Sequence, residues 1–125
     1  MPKRITIKAA GLTVKAELND SPCAEAVCRA MPIEGAANTW GQEVYFDIGV
    51  EFGLADDARA DVAVGEIGYW PTGSAFCIFF GSTPASGRDG KPRAASKVNV
   101  IGRVTGDAKA LSAVNDGDKV TLTAD

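Results

Sequence analysis

Short stretches of alternating polar and apolar residues, separated by Gly, Pro, Asn and Asp, run through almost the whole chain. In the first of them Ile5, Ile7 and Ala9 alternate with polar residues, and LTVKAEL repeats the pattern after a turn at Gly11. Five later segments have the same character: QEVYFDIGV, VAVGEIGYW, SAFCIFFG, KVNVIGRVT and DKVTLTA. Because successive side chains of a β-strand point to opposite faces, the sequence predicts seven or eight strands that begin with a hairpin.

One segment, SPCAEAVCRAMP, repeats with the period of a helix instead. Its apolar residues have the i, i+3, i+4, i+7 spacing of one buried helical face: Ala24, Val27, Cys28 and Met31. Ser21 is a suitable N-cap, Pro22 fits the first helical position, and Pro32 discourages continuation. The later stretch DAKALSAV, with Asp107 as its cap, predicts a short second helix.

The length of 125 residues suits one domain, because a chain of this size buries about two-thirds of its unfolded surface around a single core. Many short strands with one or two helices favour a closed antiparallel β-barrel of about eight strands, since closure removes exposed strand edges. A β-sandwich is the alternative. We therefore predict a mainly β protein that forms one domain over residues 1–125.

The balance of charge argues against two classes of partner. The chain carries 13 basic and 16 acidic residues and no run of five like charges, which disfavours binding to nucleic acid or to an anionic membrane. No segment approaches the ~20 apolar residues that span a bilayer. Cys23 and Cys28 diverge around the predicted helix and cannot bridge each other, so reduced thiols and a cytoplasmic protein are expected.

Histidine is absent from the chain. Ser-His and Cys-His nucleophile pairs, imidazole zinc sites and a histidine general base are therefore excluded. No Cys-x-x-Cys pair replaces the zinc ligands, and the acidic stretch around Asp56, Asp57 and Asp61 lacks the spacing and central Gly of a Ca²⁺ loop. We expect no metal and no other cofactor.

Four stretches of the chain carry a resemblance to a known family: LNDSPCAEAV, MPIEGAANTWGQEVYFDIGV, GEIGYWPTGSAFCIFFGSTPAS and VNVIGRV. Together they resemble the small cyclophilin-like family of functionally uncharacterised prokaryotic proteins over nearly the whole chain. The resemblance implies an eight-stranded cyclophilin-type barrel with a helix at its mouth. It implies no activity, because the family has no settled one.

Cyclophilins themselves catalyse prolyl isomerisation, and this sequence differs from the cyclophilin pattern at two positions relevant to that activity. Cyclophilins carry an Arg that assists rotation about the prolyl bond, whereas the nearest stretch here, YFDIGVEF, has Asp47 at that position. A carboxylate has the wrong sign for this role. In SAFCI, Ala75 replaces a Gln of the cyclophilin pattern. Both departures argue against ordinary cyclophilin catalysis, and weak prolyl isomerase activity is kept as an alternative.

Aromatic residues are concentrated around GYWPTGSAFCIFFGSTP. Both faces of SAFCIFF are apolar, so its phenylalanines are interpreted as core and Cys77 as a buried thiol with a raised pKa. Trp40, Tyr69 and Trp70 lie at strand ends or in loops, where amphipathic rings often line binding clefts. These three are candidate ligand contacts, with plain packing as the alternative.

A row of polar side chains follows from the alternation in QEVYFDI. Glu43, Tyr45 and Asp47 share one face of the predicted strand. The backbones of Glu43 and Asp47 are ~13 Å apart, farther than the ~5–9.5 Å that separates glycosidase acid pairs. The row is interpreted as a solvated strand face or, alternatively, as the polar wall of a ligand cleft.

A long segment without hydrophobic periodicity covers residues 81–97 and carries four basic residues: Arg88, Lys91, Arg93 and Lys97. Its Gly spacing differs from a phosphate-binding loop, and Gly90-Lys91 leads to Pro92 where that motif has Ser or Thr. The segment is either a mobile basic flap that attracts an anionic ligand or a solvated loop.

The function that these residues favour is binding of a small molecule or an extended peptide in an aromatic cleft. The expected contacts are rings, polar groups beside them and a rim: Trp40, Tyr69 and Trp70; Glu43 and Tyr45; Thr83 and Pro84. One alternative is a histidine-free enzyme with Glu43 or Asp47 as general base and Tyr45 or Arg59 polarising the substrate. Another is a scaffold whose aromatic patch meets a protein partner, which includes a homodimer.

Overall fold

The computed structural model describes residues 3–125, and the chain is mainly β, as the alternating sequence predicts. The strands are β1 (Lys3–Ala9), β2 (Leu12–Leu18), β3 (Ile33–Ala36), β4 (Asn38–Thr39), β5 (Glu43–Asp47), β6 (Arg59–Asp61), β7 (Glu66–Trp70), β8 (Ala75–Phe79), β9 (Arg93–Val104) and β10 (Lys119–Ala124). Their order across the sheet is β3-β10-β1-β2-β9-β7-β8-β5-β4, with β6 paired to β9. All of these pairings are antiparallel.

The predicted helix is confirmed as α1 (Pro22–Arg29). Its N-cap is Ser21, whose hydroxyl accepts a hydrogen bond from the Ala24 N–H at 3.2 Å. The predicted second helix forms as a 3-10 helix, Ala108–Ala113, and the Asp107 carboxylate accepts a hydrogen bond from the Lys109 N–H at 3.1 Å. No helix within residues 3–125 is long and apolar enough to cross a membrane.

The expected closed barrel of about eight strands is wrong in strand number and in closure. There are ten strands, and within residues 3–125 no ladder joins β3, at one end of the sheet, to the nearby β5. A Cβ atom at Gly35 of β3 would lie 2.9 Å from Cδ2 of Phe46. The Phe46 ring and the Asp47 carbonyl oxygen both approach Gly35 closely, but no backbone ladder links β3 to β5 within the described residues.

The strands that the sequence did not reveal are short. β3, β4 and β6 read IEGA, NT and RAD, and none of them alternates apolar with polar residues. Each is formed because a partner strand supplies hydrogen bonds: β10 for β3, β5 for β4 and β9 for β6. Pairing of this kind depends on tertiary structure and leaves no pattern in the strand's own residues.

Buried side chains form a large core and a smaller cluster on the other face of the sheet. The large core consists of buried side chains from α1 and the inward side chains of most strands. The smaller cluster consists of Val62, Ala75, Cys77, Phe79, Ala94 and Val98. Every residue of β8 is buried, which confirms that this strand is covered on both sides. The smaller cluster lies beneath the candidate site.

Candidate functional site

Three of the predicted site residues line one cleft. Trp40, Tyr45 and Trp70 form its walls with a floor of small apolar side chains from β9, and its volume is about 210 Å³. The contributors from β9 are Ala94, Ala95 and Val98. The floor continues into the smaller buried cluster, against which Tyr45 and Trp70 also pack. The structure thus brings together rings that come from three separate parts of the sequence.

A tight turn between β4 and β5 positions Trp40. The Trp40 N–H donates to the Glu43 carbonyl oxygen at 3.0 Å, which leaves a two-residue connection. Its first residue, Gly41, has φ +59°, a conformation that favours Gly at the first central position of a hairpin turn. Because opposed residues of an antiparallel pair share a face, Trp40, Glu43 and Tyr45 project from the same side of the hairpin.

The ring of Trp70 is held by a hydrogen bond and by packing. Its indole N–H donates to the Ser96 hydroxyl of β9 at 2.7 Å. The 3-10 turn Pro71–Gly73 folds against the ring, since a Cβ atom at Gly73 would lie 3.0 Å from Cε3 of Trp70. These contacts set the orientation of the indole before any ligand arrives.

Glu43 is buried, with only 6% of its surface exposed. Burial raises the pKa of its carboxyl to about 7, and a hydrogen bond with the Cys77 thiol lowers it in part. The thiol also donates to the Ala75 carbonyl oxygen at 3.9 Å. The interpretation of this strand face as solvated is therefore wrong at Glu43, although Asp47 is exposed.

Cys77 is a buried thiol, as predicted. Burial first, and then the adjacent Glu43 carboxyl, raise its pKa well above the usual range. A thiol of this kind is protonated at neutral pH, so it is a poor nucleophile. Cys77 is opposed to Tyr45 across β8 and β5, so the Glu43–Cys77 contact lies next to Tyr45 on the same face of the sheet.

Tyr69 does not line the cleft, so this part of the expected site is corrected. It is 0% exposed, and it is opposed to Phe76 on the core side of the sheet. Its hydroxyl donates to the Val50 carbonyl oxygen and accepts from the Phe52 N–H at 3.1 Å. The alternation that turns Trp70 toward the cleft turns its neighbour Tyr69 inward, where it anchors the loop after β5.

Thr83 and Pro84 lie next to the Trp40 hairpin but outside the cleft lining. A Cβ atom at Gly41 would lie 2.9 Å from Cδ of Pro84 and from Cα of Thr83. Thr83 is buried, and its hydroxyl donates to the Arg93 carbonyl oxygen at 2.5 Å. Pro84 is exposed. The two residues brace the turn that carries Trp40.

The basic segment is shorter than expected, because β9 already begins at Arg93. Its backbone is organised by local hydrogen bonds: Ser86 Oγ donates to the Lys91 carbonyl oxygen at 2.6 Å, and Asp89 accepts from the Lys91 N–H at 3.0 Å. A depression of about 430 Å³ beside it is lined by charges of both signs, among them Asp61, Arg88 and Arg93. The smaller aromatic cleft, where uncharged rings converge, is the better candidate for ligand binding.

A family model described as cyclophilin-like matches residues 3–123. The chain belongs to the cyclophilin-like family. The solution structure of the hypothetical protein AF2241 from Archaeoglobus fulgidus is similar to this chain, with 35% identity and a TM-score of 0.83, and the match covers 99% of this chain and 95% of that chain. No curated protein matches. The resemblance inferred from the sequence is confirmed, and these similarities establish fold and family without an activity.

In this cyclophilin-like chain the residues proposed for a catalytic alternative are dispersed. Arg59 forms an ion pair with Glu66 at 2.8 Å and also donates to the Asp61 carbonyl oxygen. Asp47 accepts a hydrogen bond from the Gly49 N–H at 2.8 Å. Neither side chain lines the aromatic cleft, whose lining includes Tyr45 alone of the four candidates. Within residues 3–125 no group of three His, Cys, Asp or Glu side chains could hold a metal ion.

Sequence reasoning missed the contribution of β9 to the cleft. Ala94, Ala95 and Val98 form the floor, and Ser96 holds the Trp70 indole. Ala94, Ala95 and Ser96 lay in the segment 81–97, which was interpreted as a flap or a solvated loop because it lacks hydrophobic periodicity, whereas Val98 lay in the predicted strand KVNVIGRVT. Small side chains in β9 leave room for a ligand beneath the two tryptophan rings. Their own sequence does not reveal this location, which depends on the pairing of β9 with β7.

Proposed function

We propose that this cyclophilin-like protein binds a small molecule or an extended peptide by taking one ring-sized apolar group of the ligand into the aromatic cleft. The observation that supports this most directly is the convergence of Trp40, Tyr45 and Trp70 on one cleft of about 210 Å³. An apolar cavity of ~150 Å³ holds one benzene molecule, whereas whole drug-sized ligands occupy ~300–1,000 Å³. The cleft therefore suits one group of a larger ligand.

The preformed walls favour binding of this kind. Trp70 is held by Ser96, and Trp40 is carried by a hairpin turn that Thr83 and Pro84 brace. Rings that are already ordered lose little conformational freedom when a ligand arrives, so more of the burial energy appears as affinity. We place the protein in the cytoplasm, where its three unpaired cysteines are kept reduced, and propose neither nucleic acid nor membrane as a partner.

Intrinsic fluorescence tests the proposal directly, because Trp40 and Trp70 are the two tryptophans of the chain and both line the cleft. We expect members of a diverse library of metabolites and short peptides to shift the emission in a saturable way. Tyr45→Ala should weaken binding at least tenfold through lost ring contact, about 1.4 kcal/mol or more. Leu54→Ala, which removes an exposed side chain outside the cleft, is the control. A library without effect on either tryptophan would contradict the proposal.

Glu43 supports a second candidate, a histidine-free enzyme with this residue as general base. Burial raises the pKa of its carboxyl to about 7, close to the value at which a base is most effective at neutral pH. Glu43→Gln should then abolish turnover of a bound ligand while leaving its affinity within a few-fold of wild type. Retained turnover in that variant would exclude Glu43 as the base.

Weak prolyl isomerase activity is tested separately with a protease-coupled prolyl peptide assay. The exposed carboxylate of Asp47, at the position where cyclophilins have Arg, leads us to expect no acceleration above the uncatalysed rate. Acceleration that disappears in Trp70→Ala would show that the cleft binds proline and catalyses its isomerisation.

A further inference from the structure

Trp40, Tyr45 and Trp70 all line the cleft, so each ring presents part of its surface to a ligand there. Among residues 3–125 the ring pair in contact is Phe46–Phe76, tilted by 38° in the core, and it includes none of the three cleft rings. Two indoles and one phenol ring, each with a negative face, therefore line the space that is open to a ligand. Faces of this kind attract cations electrostatically, and Trp attracts them most strongly.

A buried carboxyl group lies beside Tyr45 on the same strand face. Glu43 projects from the same face of the hairpin as Trp40 and Tyr45, and its carboxyl leans along β5 to the Cys77 thiol, opposite Tyr45. From β8 it is faced by Phe79 and Cys77, from its own strand by Tyr45, and from the turn after β4 by the uncharged Trp40. The one group among these that can supply negative charge at neutral pH is Glu43 itself.

We propose that the group taken into the cleft is a methylated ammonium ion, bound by the faces of Trp40, Tyr45 and Trp70 with the Glu43 carboxylate as its counter-charge. This inference rests on the proposed function, because it names the chemical class of ligand for the same cleft. Methyl groups match the apolar floor of Ala94, Ala95 and Val98. A primary ammonium ion would lose hydrogen bonds to water that the apolar lining does not replace, whereas a quaternary one has none to lose.

The state of Glu43 links this binding to pH. Burial raises the pKa of the carboxyl to about 7, so near neutrality part of the protein carries a protonated Glu43. A cation in the cleft favours the charged form and releases that proton. Affinity for a permanent cation should therefore rise as pH increases from about 6 to 8, while affinity for an uncharged isostere should stay constant.

The test compares ligands that have the same shape and differ in charge. Choline is matched with 3,3-dimethylbutan-1-ol, its neutral carbon isostere, at constant ionic strength and with tryptophan fluorescence as readout. We expect choline to bind about tenfold more tightly. Equal or tighter binding of the neutral isostere would overturn the ammonium inference and leave the proposed apolar cleft intact. If neither compound nor any library member binds, the proposed function and the inference fail together.

A second pair of ligands distinguishes the two sources of such a group. A short peptide with trimethyllysine is compared with the same peptide carrying norleucine in its place. Tighter binding of the trimethyllysine peptide than of choline would show that the ligand is a modified protein segment, and weaker binding would show a free small molecule. Both results support the inference, whereas a preference for norleucine overturns it.

Substitution of the counter-charge supplies the remaining control. Glu43→Gln should reduce the preference for choline over its isostere several-fold while leaving the isostere's affinity unchanged. Glu51→Gln, at an exposed position outside the cleft, should leave the preference unchanged. If Glu43→Gln does not fold, the pH dependence of the wild-type protein decides: choline affinity that is constant between about pH 6 and 8 contradicts the role of Glu43.

Discussion

At the scale of the residue, Glu43 shows how burial changes the properties of a side chain. Its neighbours along the strand face are a half-buried Tyr45 and an exposed Asp47, so one alternating row contains three different environments. The carboxyl lies against Cys77, and there burial favours its protonated form. This effect can be measured without any ligand.

Glu43 should make the folded protein less stable as pH rises. Because burial raises the folded-state pKa of Glu43 to about 7, above the ordinary value of 4.5, the folded state holds its proton more tightly than the unfolded state. The stabilisation is complete below about pH 4.5 and is lost as pH rises through about 7, a difference of about 3 kcal/mol. The free energy of unfolding of wild type and of Glu43→Gln is measured with denaturant from pH 5 to 8. As pH rises, the wild-type value should fall relative to that of the variant.

The control for this titration is Glu51→Gln, which changes an exposed carboxyl of the same type. Its stability difference from wild type should be constant over the same pH range. A constant difference for Glu43→Gln as well would show that the Glu43 carboxyl is not desolvated in the folded protein.

Gly41 is the residue on which the position of Trp40 depends. Gly41→Ala should destabilise the protein by about 3 kcal/mol, since it adds the cost of a positive φ to a collision with Thr83 and Pro84. Gly11→Ala is a matched control with φ +77° and no atom within 4 Å of the new methyl group, so it should cost about 1 kcal/mol. Equal losses of free energy of unfolding would mean that Thr83 and Pro84 do not brace the turn.

At the scale of the element, β9 connects the two halves of the structure. Its first part forms the cleft floor and pairs with β6, and its last part pairs with β2 and β7. Gly102 permits the close approach of β2, because a Cβ atom there would lie 2.1 Å from the Glu17 carbonyl oxygen. Backbone cannot retreat as a flexible side chain can, so this contact is sensitive to a single methyl group.

Gly102→Ala should therefore separate β2 from β9 and cost about 3 kcal/mol of the free energy of unfolding. Gly106→Ala, four residues later and with its nearest contact at 4.0 Å, should cost less than about 1 kcal/mol. Chemical denaturation measures both. Loss of amide-exchange protection at Leu18 in Gly102→Ala alone would locate the damage in the β2–β9 ladder.

The elements that sequence reasoning predicted are those with local causes. α1 has a cap at Ser21, and β1, β2, β5, β7, β8, β9 and β10 each contain a predicted strand segment. β3, β4 and β6 were missed, because two to four residues without alternation are held only by a partner strand. The open edge at Gly35 was missed for the same reason, since it depends on where the Phe46 ring packs.

At the scale of the whole molecule, the large core and the smaller cluster share the same strands. β8 supplies Phe76 and Ile78 to one and Ala75, Cys77 and Phe79 to the other. Neither cluster can come apart without exposing the opposite face of this strand. A single cooperative unit over the chain is the consequence that we propose.

Unfolding should accordingly follow one transition. Tryptophan fluorescence reports on the cleft through Trp40 and Trp70, and far-UV circular dichroism reports on the whole sheet. The two denaturation curves should coincide, as they do for two-state domains of this size. A fluorescence midpoint at lower denaturant would show that the cleft and the smaller cluster unfold before the main core.

The homodimer alternative predicts that the unfolding midpoint depends on protein concentration. The large apolar side chains exposed in residues 3–125 are Leu54 and Val64, and neither is aromatic. Because the cleft tryptophans are half-buried, we expect the unfolding midpoint to be independent of protein concentration over about a hundredfold range. A midpoint that rises with concentration would support a dimer through the aromatic surface.

The sequence by itself determined the strand-rich class, the capped helix and the exclusion of histidine chemistry, because alternation, capping and composition act on neighbouring residues or on the chain as a whole. Tertiary structure alone decided that Trp40 and Trp70 share a cleft while Tyr69 is buried, and that Glu43 is withdrawn from water. The physical reason is that burial and proximity follow from which strands pair and in which register, and a residue's own neighbours in the chain do not contain that information.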